Sequence, residues 1–226
     1  MIRSDIREAS IEPGPELRLP GGVAAQVGPF AVLAAAALWL RAHFDDLPAR
    51  LPVHWNVHGQ ADRFVERRPL GASFPLLLGA ALCLLTLGVQ LAIRRSSPRG
   101  TMRGPTLRVL LAVEYFVALL NCGVLAATAT NGRLLAPVLV FSVAAVVVLV
   151  VVTALAVRGV PREPVRNPNA WRAGVFYFDR HDPALLVPKR SGVGYTFNFA
   201  HPAAVLLTLL ILLLPMAIAL FALSVR

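Results

Sequence analysis

The chain has 226 residues, of which 57% are hydrophobic and only 15% are charged. Soluble domains are about half apolar and about a quarter charged, so the composition excludes an ordinary soluble domain. The formal net charge is +10, and Lys189 is the only lysine among the basic residues. In a soluble protein this charge would suggest nucleic acid, but in a membrane protein arginines fix the topology and contact anionic lipid headgroups. The lipid bilayer is therefore the predicted partner, and no direct nucleic-acid partner is predicted.

The apolar residues lie in blocks of about 20, enough for a helix to cross a hydrocarbon core of about 30 Å. The pattern predicts an all-α integral membrane protein with about five transmembrane helices and a small β-type insertion before the last helix. A cytoplasmic tail at residues 1–22 precedes a four-helix membrane domain at residues 23–157, which includes an extracytoplasmic loop at residues 44–73. A cytoplasmic insertion at residues 158–201 then leads to the last transmembrane helix at residues 202–226.

The basic residues orient these spans, which we expect at residues 23–44, 73–93, 107–130, 134–157 and 202–225. Five spans place the tail, the second loop and the fourth loop on one side, together with 15 lysines and arginines, and leave 7 on the other side. Cytoplasmic loops carry the excess of Lys and Arg. The N-terminus is therefore predicted inside and the first loop outside.

The first loop is rich in side chains that make directional contacts. Two prolines restrict its backbone, and a glycine supplies a turn position. A bare connector between two spans would not need this chemistry, so we interpret residues 47–62 as a ligand-binding surface. The predicted binding residues are His54, Trp55, Asn56, Gly59 and Asp62.

A metal site is the alternative for this loop. His54, His58 and Asp62 are spaced i, i+4, i+8, which would align them on one face of a helix. The histidines have the spacing of H-E-x-x-H, but Trp55 occupies the position of the catalytic glutamate. Pro52 and Gly59 also argue against a continuous helix through this segment. We therefore prefer a hydrogen-bonded turn capped by Asp62 or Asn56, and predict no metal, cofactor or catalytic residue.

Three polar residues inside the predicted spans are candidates for a role there, namely Glu114, Gln90 and Asn121. Glu114 is the only acid there, and it lies at a depth similar to that of Gln90. An intramembrane carboxylate is by default a candidate proton relay or ion ligand. The alternative, which we prefer, is a contact with Gln90 or with Arg94 or Arg108 at the interface. Asn121 is predicted to hold helices together by hydrogen bonding.

The fourth loop has a second concentrated motif, from Trp171 to Asn198. It has the pattern of short strands separated by turns at Asp182-Pro183 and around Gly192. Its aromatic and basic residues either lie on the bilayer surface or form a docking surface for a cytoplasmic regulator or transporter subunit, and composition leaves both open. The candidate docking residues are Trp171, Tyr177, Asp179, Asp182, Lys189 and Asn198.

Both loops resemble known domains. The motifs that follow the first span resemble a membrane domain of unknown function shared by the Sdp-type immunity proteins of bacteria: Leu47-Pro48, Pro52-Val53-His54-Trp55 and Gly59-Gln60-Ala61-Asp62. The segment from Trp171 to Asn198 resembles a small domain of unknown function that accompanies such membrane domains. In the Sdp system, the family member protects its producer from a secreted toxic peptide and captures a transcriptional repressor. The C-terminal half departs from that of the Sdp immunity protein, and histidine is not a regular feature of the family at His58.

The resemblance implies a multi-pass protein of the bacterial cytoplasmic membrane. Our preferred hypothesis is an immunity-type receptor that binds an extracellular peptide or an envelope ligand and docks a cytoplasmic partner. The alternatives are an accessory subunit of a membrane transport complex and, less favoured, a metal-dependent membrane hydrolase. No enzymatic activity is predicted, because no pair of base and nucleophile is identifiable.

Overall fold

The computed structural model describes residues 19–96, 103–158, 165–191 and 194–224, so most of the predicted tail and Gly192 lie outside the described residues. Within these ranges the protein is mostly helical, with small two-stranded antiparallel sheets. The elements in chain order are α1 (Gly22–Ala42), β1 (Arg50–Trp55), β2 (Ala61–Glu66), α2 (Pro69–Ser96), α3 (Arg103–Ala129), α4 (Leu135–Val157), β3 (Trp171–Arg172), β4 (Phe176–Tyr177), β5 (Leu186–Pro188), β6 (Tyr195–Phe197) and α5 (Pro202–Ser224).

Four helices, α1 to α4, are long and apolar enough to cross a membrane, which supports a multi-pass membrane protein. Helix α5 has 23 residues, and its stretch Pro202–Leu213, the part whose side chains the structure describes, is apolar. The fifth span therefore stays a prediction. Helix α2 begins at Pro69, earlier than predicted, since proline at the first helical position lacks only an N–H that would have no intrahelical acceptor.

We expected only helices in the membrane domain, and this is corrected: its first loop folds as a β-hairpin of β1 and β2. Leu51 pairs with Val65 across the hairpin, and both pack into the hydrophobic core. Leu51 is 1% exposed, so the base of the hairpin forms part of the bundle core rather than a free loop.

Helices α1, α2 and α3 pack against one another, and α4 packs on α3. Close approach of α1 and α3 depends on Gly28, because a Cβ there would lie 1.9 Å from the Tyr115 hydroxyl. That hydroxyl donates a hydrogen bond to the Ala25 carbonyl, at 3.1 Å. Helix α4 contributes no buried residue, which fits a helix that faces lipid or another membrane segment.

The hairpin and the insertion lie at opposite ends of the bundle. Thr128, near the end of α3, donates to the Pro52 carbonyl of the hairpin. Leu107, near the start of α3, packs with Leu186 of the insertion. The 21-residue separation along α3 corresponds to roughly 32 Å at about 1.5 Å per residue, close to the hydrocarbon thickness of a bilayer.

Candidate functional site

The tip of the hairpin is a tightly hydrogen-bonded turn. The Asn56 Oδ1 atom accepts hydrogen bonds from the backbone N–H groups of His58 and Gln60, each at 3.0 Å. Gly59 has a φ of 73° and donates its N–H to the Asn56 carbonyl at 2.9 Å. The glycine is required because a side chain is strained in this left-handed conformation. The turn is thus the hydrogen-bonded type that we preferred, with Asn56 rather than Asp62 as the capping residue.

His54 and Asp62 meet across the hairpin just below this turn. The His54 Nδ1 atom lies 2.5 Å from the Asp62 Oδ1 atom, and the two side chains are 55% and 41% exposed. The strand register slips by one residue after Pro52 and returns before Trp55, and such bulges redirect side chains. Among the described residues, His54, His58 and Asp62 do not form a group that could hold a metal ion. The hairpin removes the helical alignment on which that alternative depended.

The hydrogen bond from His54 lowers the pKa of Asp62 below its ordinary value, and the nearby positive charges add to this effect. Because the pKa is depressed in the folded chain, the stabilisation is present at neutral pH. It is lost only as the pH falls through the folded pKa, below 3.8. Asp62 therefore carries its negative charge at the surface under ordinary conditions.

Trp55, which stays a predicted ligand-binding residue, also anchors the hairpin to the bundle. Its indole Nε1 lies 2.8 Å from the position that a Cβ would take at Gly132, in the turn between α3 and α4. Gly132 has a φ of 84°, so both its conformation and its space exclude a side chain. In contrast, Val57 at the tip is 97% exposed. The hairpin is therefore held against the bundle beside its turn, and Val57 within the turn is open to solvent.

Arg67 is a structural residue that the sequence did not single out beyond its charge. Its Nη1 donates to the carbonyls of Phe44, Asp45 and Leu47 in the segment that follows α1. The guanidinium also lies over the Phe44 ring, 5.5 Å from the centroid. These contacts tie the end of β2 to the segment that follows α1, so the base of the hairpin is held in place on this side as well.

The insertion at the other end of the bundle is organised around Tyr177 and Asn198, both 0% exposed. The Tyr177 hydroxyl donates to Asp182 at 3.1 Å, and Asn198 Nδ2 donates to the carbonyls of Asp179 and Asp182. Two antiparallel pairs, β3–β4 and β5–β6, surround this centre. The prediction of short strands here is supported. The burial of Tyr177 and Asn198 corrects their assignment to a docking surface, since neither has surface to offer a partner.

The remaining docking candidates differ in exposure. Trp171 is half-buried and packs edge-on against Tyr177, with ring centroids 5.2 Å apart. Asp179 accepts a hydrogen bond from the Asn167 side chain at 2.7 Å, which lowers the pKa of that carboxyl. Burial and the bond to Asp182 raise the pKa of Tyr177, so this phenol stays neutral. Lys189 is exposed and is therefore available for contact.

A groove of about 360 Å³ separates the insertion from the C-terminal end of α2. Arg95 and Arg166 line it together with Asp182, and the Arg166 Nη1 lies 3.3 Å from the Asp182 Oδ2. Elsewhere in the insertion, three phenylalanine rings pack against Phe199, and they belong to Phe176, Phe178 and Phe197. Aromatic and basic side chains together are typical of protein surfaces at headgroup level.

Within the bundle, the structure brings two of the three predicted polar residues together. Gln90 Nε2 donates to Glu114 Oε1 at 2.8 Å, which is the contact that we preferred on sequence grounds. Gln26 of α1, which sequence reasoning missed, lies 3.4 Å from the same amide nitrogen. The expected hydrogen bond from Asn121 to another helix is replaced by one to the Val117 carbonyl of its own helix, at 2.9 Å. Asn121 instead packs against Gly79 of α2. A Cβ at position 79 would lie 3.0 Å from the Cβ of Asn121, which is a tight contact.

Two family comparisons match parts of the chain. The Domain of unknown function (DUF1648) matches residues 30–79, which cover most of α1, the hairpin and the first part of α2. The Family of unknown function (DUF5808) matches residues 180–205, which cover β5, β6 and the start of α5. Both resembled domains are therefore found, but no link to the Sdp-type immunity proteins is shown. The comparisons with curated proteins and with solved structures gave no match.

Proposed function

We propose that the chain is a receptor of the bacterial cytoplasmic membrane, with its N-terminus inside. In this proposal the hairpin binds an extracytoplasmic peptide or envelope ligand, and the insertion docks a cytoplasmic partner. The observation that carries the proposal is the construction of the hairpin. Leu51 fixes its base in the bundle and Trp55 packs on Gly132 beside its turn, while the turn is braced internally and Val57 is left exposed. Such preorganisation lowers the entropy cost of binding.

The chemistry of the tip favours a peptide-like ligand. Val57 supplies an exposed apolar contact, and the adjacent turn supplies polar atoms at His54, His58 and Asp62. The imidazole of His54 contacts Asp62 through Nδ1, and in the proposal its second ring nitrogen, Nε2, contacts the ligand. Peptides combine apolar side chains with backbone donors and acceptors, and this surface matches both.

On the other side, the insertion supports docking through charge. Its exposed basic residues include Arg172, Arg180, Lys189 and Arg190. We propose that they contact either an acidic surface of a cytoplasmic protein or the anionic headgroups around the bundle. The receptor function requires contact with a cytoplasmic protein. If the basic residues contact only lipid headgroups, the insertion does no more than cover the membrane surface.

The first test concerns topology. In a background free of Cys83 and Cys122, Gln60→Cys is expected to react with a membrane-impermeant thiol reagent in intact cells. Ser191→Cys is expected to react only after the membrane is permeabilised. Both positions are exposed in the structure, so a difference in labelling reports the side of the membrane. The reverse labelling pattern would refute the proposed orientation of both surfaces.

The second test concerns the tip of the hairpin. A photo-crosslinking amino acid at Val57 is expected to capture a peptide or envelope component in native cells. The matched control is the same amino acid at Asp45, which is 98% exposed in the turn after α1, at the same end of the bundle. An adduct that forms at Val57 and not at Asp45 supports recognition by the tip. Equal adducts at both sites, or none at Val57, would contradict it.

An accessory subunit of a membrane transport complex is the second candidate. It is favoured by α4, whose 23 residues include no buried one and which offers its apolar sides to a partner helix. Stoichiometric copurification with a transporter subunit, lost when α4 is redesigned with other apolar residues, would favour this candidate over the receptor.

A further inference from the structure

A buried polar cluster joins three helices inside the bundle. Glu114 of α3 and Gln90 of α2 are each 0% exposed, and Gln26 of α1 is 6% exposed. Gln90 Nε2 lies 2.8 Å from Glu114 Oε1 and 3.4 Å from Gln26 Oε1. The Gln26 amide in turn donates to the Pro20 carbonyl at 3.3 Å. The cluster lies close to the end of the bundle that carries the insertion, about a turn inside the start of α1.

Two oxygen atoms of this cluster are left without partners. Glu114 Oε2 and Gln90 Oε1 are buried and accept no hydrogen bond from the described residues. The ion pairs of the described residues do not include Glu114 either. An ionised carboxylate that is buried without a cation is strongly unfavourable in a bilayer-spanning bundle. The two oxygens therefore require a positively charged or hydrogen-donating occupant.

We propose that Glu114 and Gln90 form a proton-binding site, in which the proton sits on Glu114 Oε2 and is donated to Gln90 Oε1. One proton satisfies both unpartnered oxygens at once. Together with the bond from Gln90 Nε2 to Glu114 Oε1, it closes a reciprocal pair between a carboxylic acid and an amide. Loss of the proton removes the donor and brings a negative charge against the Gln90 oxygen, so the contact between α2 and α3 weakens.

The surroundings contain other titratable groups, but none supplies a counter-charge in the described residues. The Cys83 thiol of α2 donates to the Glu114 backbone carbonyl at 3.5 Å, and the Tyr115 hydroxyl donates to α1. The arginines at this end of α2 and α3 are Arg94, Arg95, Arg103 and Arg108, and the ion pairs described do not join any of them to Glu114. The proton is therefore the smallest occupant that completes the site.

The test uses the full chain in lipid nanodiscs and needs no ligand. Infrared spectroscopy of the wild type at neutral pH is expected to show the carbonyl stretch of a protonated carboxylic acid, and Glu114→Gln is expected to lose it. Glu66→Gln, which changes an exposed acid paired with Arg68, is the control and is expected to retain the band. If the wild type lacks the band at neutral pH, or if Glu114→Gln retains it, the proposal is overturned.

Thermal unfolding gives a second readout. Glutamine at position 114 can donate to Gln90 and accept from it, so Glu114→Gln is expected to match the melting temperature of the wild type at neutral pH. At alkaline pH the wild type is expected to lose stability through ionisation of Glu114, while the variant does not share that loss. The melting temperature at neutral pH is also compared in sodium and in choline salts. If sodium raises the melting temperature of the wild type but not that of Glu114→Gln, the occupant is a metal cation and the proposal is overturned.

Discussion

Replacement of Asn198 with alanine is expected to unfold the insertion while leaving the helix bundle inserted in the membrane. The Asn198 side chain accepts from the N–H groups of Asp179 and Ala200 and donates to the carbonyls of Asp179 and Asp182. Each buried group left without a partner costs about 1–3 kcal/mol. The Asp182 carbonyl keeps its contact with His201 Nε2, so three groups lose their partner, and their combined cost is comparable to the stability of a small unit, which is of order 5 kcal/mol.

Limited proteolysis of the purified protein in nanodiscs would measure this effect. We expect rapid cleavage within residues 165–191 of Asn198→Ala, with α1 to α4 protected. Lys189→Ala, at an exposed position of the same insertion, is the control and should be cleaved like the wild type. Equal protection of Asn198→Ala and the wild type would show that the buried amide does not hold the insertion together.

Replacement of Arg67 with alanine is expected to release the hairpin from the end of α1. The change removes the donor for three backbone carbonyls and the guanidinium that covers Phe44. Hydrogen bonds to charged groups contribute about 1.5–3 kcal/mol, so we expect a loss of roughly 2–4 kcal/mol in the stability of the hairpin. Hydrogen exchange of the β1 and β2 amides would report the loss as faster exchange.

Arg68 provides the matched control, because it is the neighbouring arginine and pairs only with Glu66 at the surface in the contacts described. Exposed ion pairs contribute little, about 0–1 kcal/mol. Arg68→Ala should therefore leave exchange in the hairpin almost unchanged. Arg67→Lys should behave like Arg67→Ala in large part, since a single ammonium does not reproduce the planar fork of donors. Equal exchange in Arg67→Ala and Arg68→Ala would contradict the role assigned to Arg67.

The sequence predicts the helices of the bundle better than the hairpin and the insertion that connect them. Apolar blocks of sufficient length identify α1 to α4, because burial in hydrocarbon selects composition directly. The hairpin was missed because its position depends on contacts with α3, such as the hydrogen bond from Thr128 to the Pro52 carbonyl, which composition does not reveal. Composition also cannot distinguish an exposed aromatic residue from a buried one, which is why Tyr177 was assigned to a surface.

The polar residues of the spans show the same limit. Glu114 and Gln90 could be placed at a similar depth from their positions along the helices, and the structure joins them. Gln26 could have been found in the same way, as a polar residue one turn inside the first span. The partner of Asn121 could not have been found from the sequence. An asparagine in a helix can donate a hydrogen bond to a neighbouring helix or to the preceding turn of its own helix, and sequence spacing does not decide between them.

The antiparallel arrangement of α2 and α3 has a mechanical consequence. The start of α2 and the end of α3 underlie the hairpin, while their other ends underlie the insertion. The same pair of packed helices therefore supports both surface elements, one at each end of the bundle. The Glu114–Gln90 contact joins these rods on the insertion side. The contact therefore also holds together the end of the helix pair on which β5 packs.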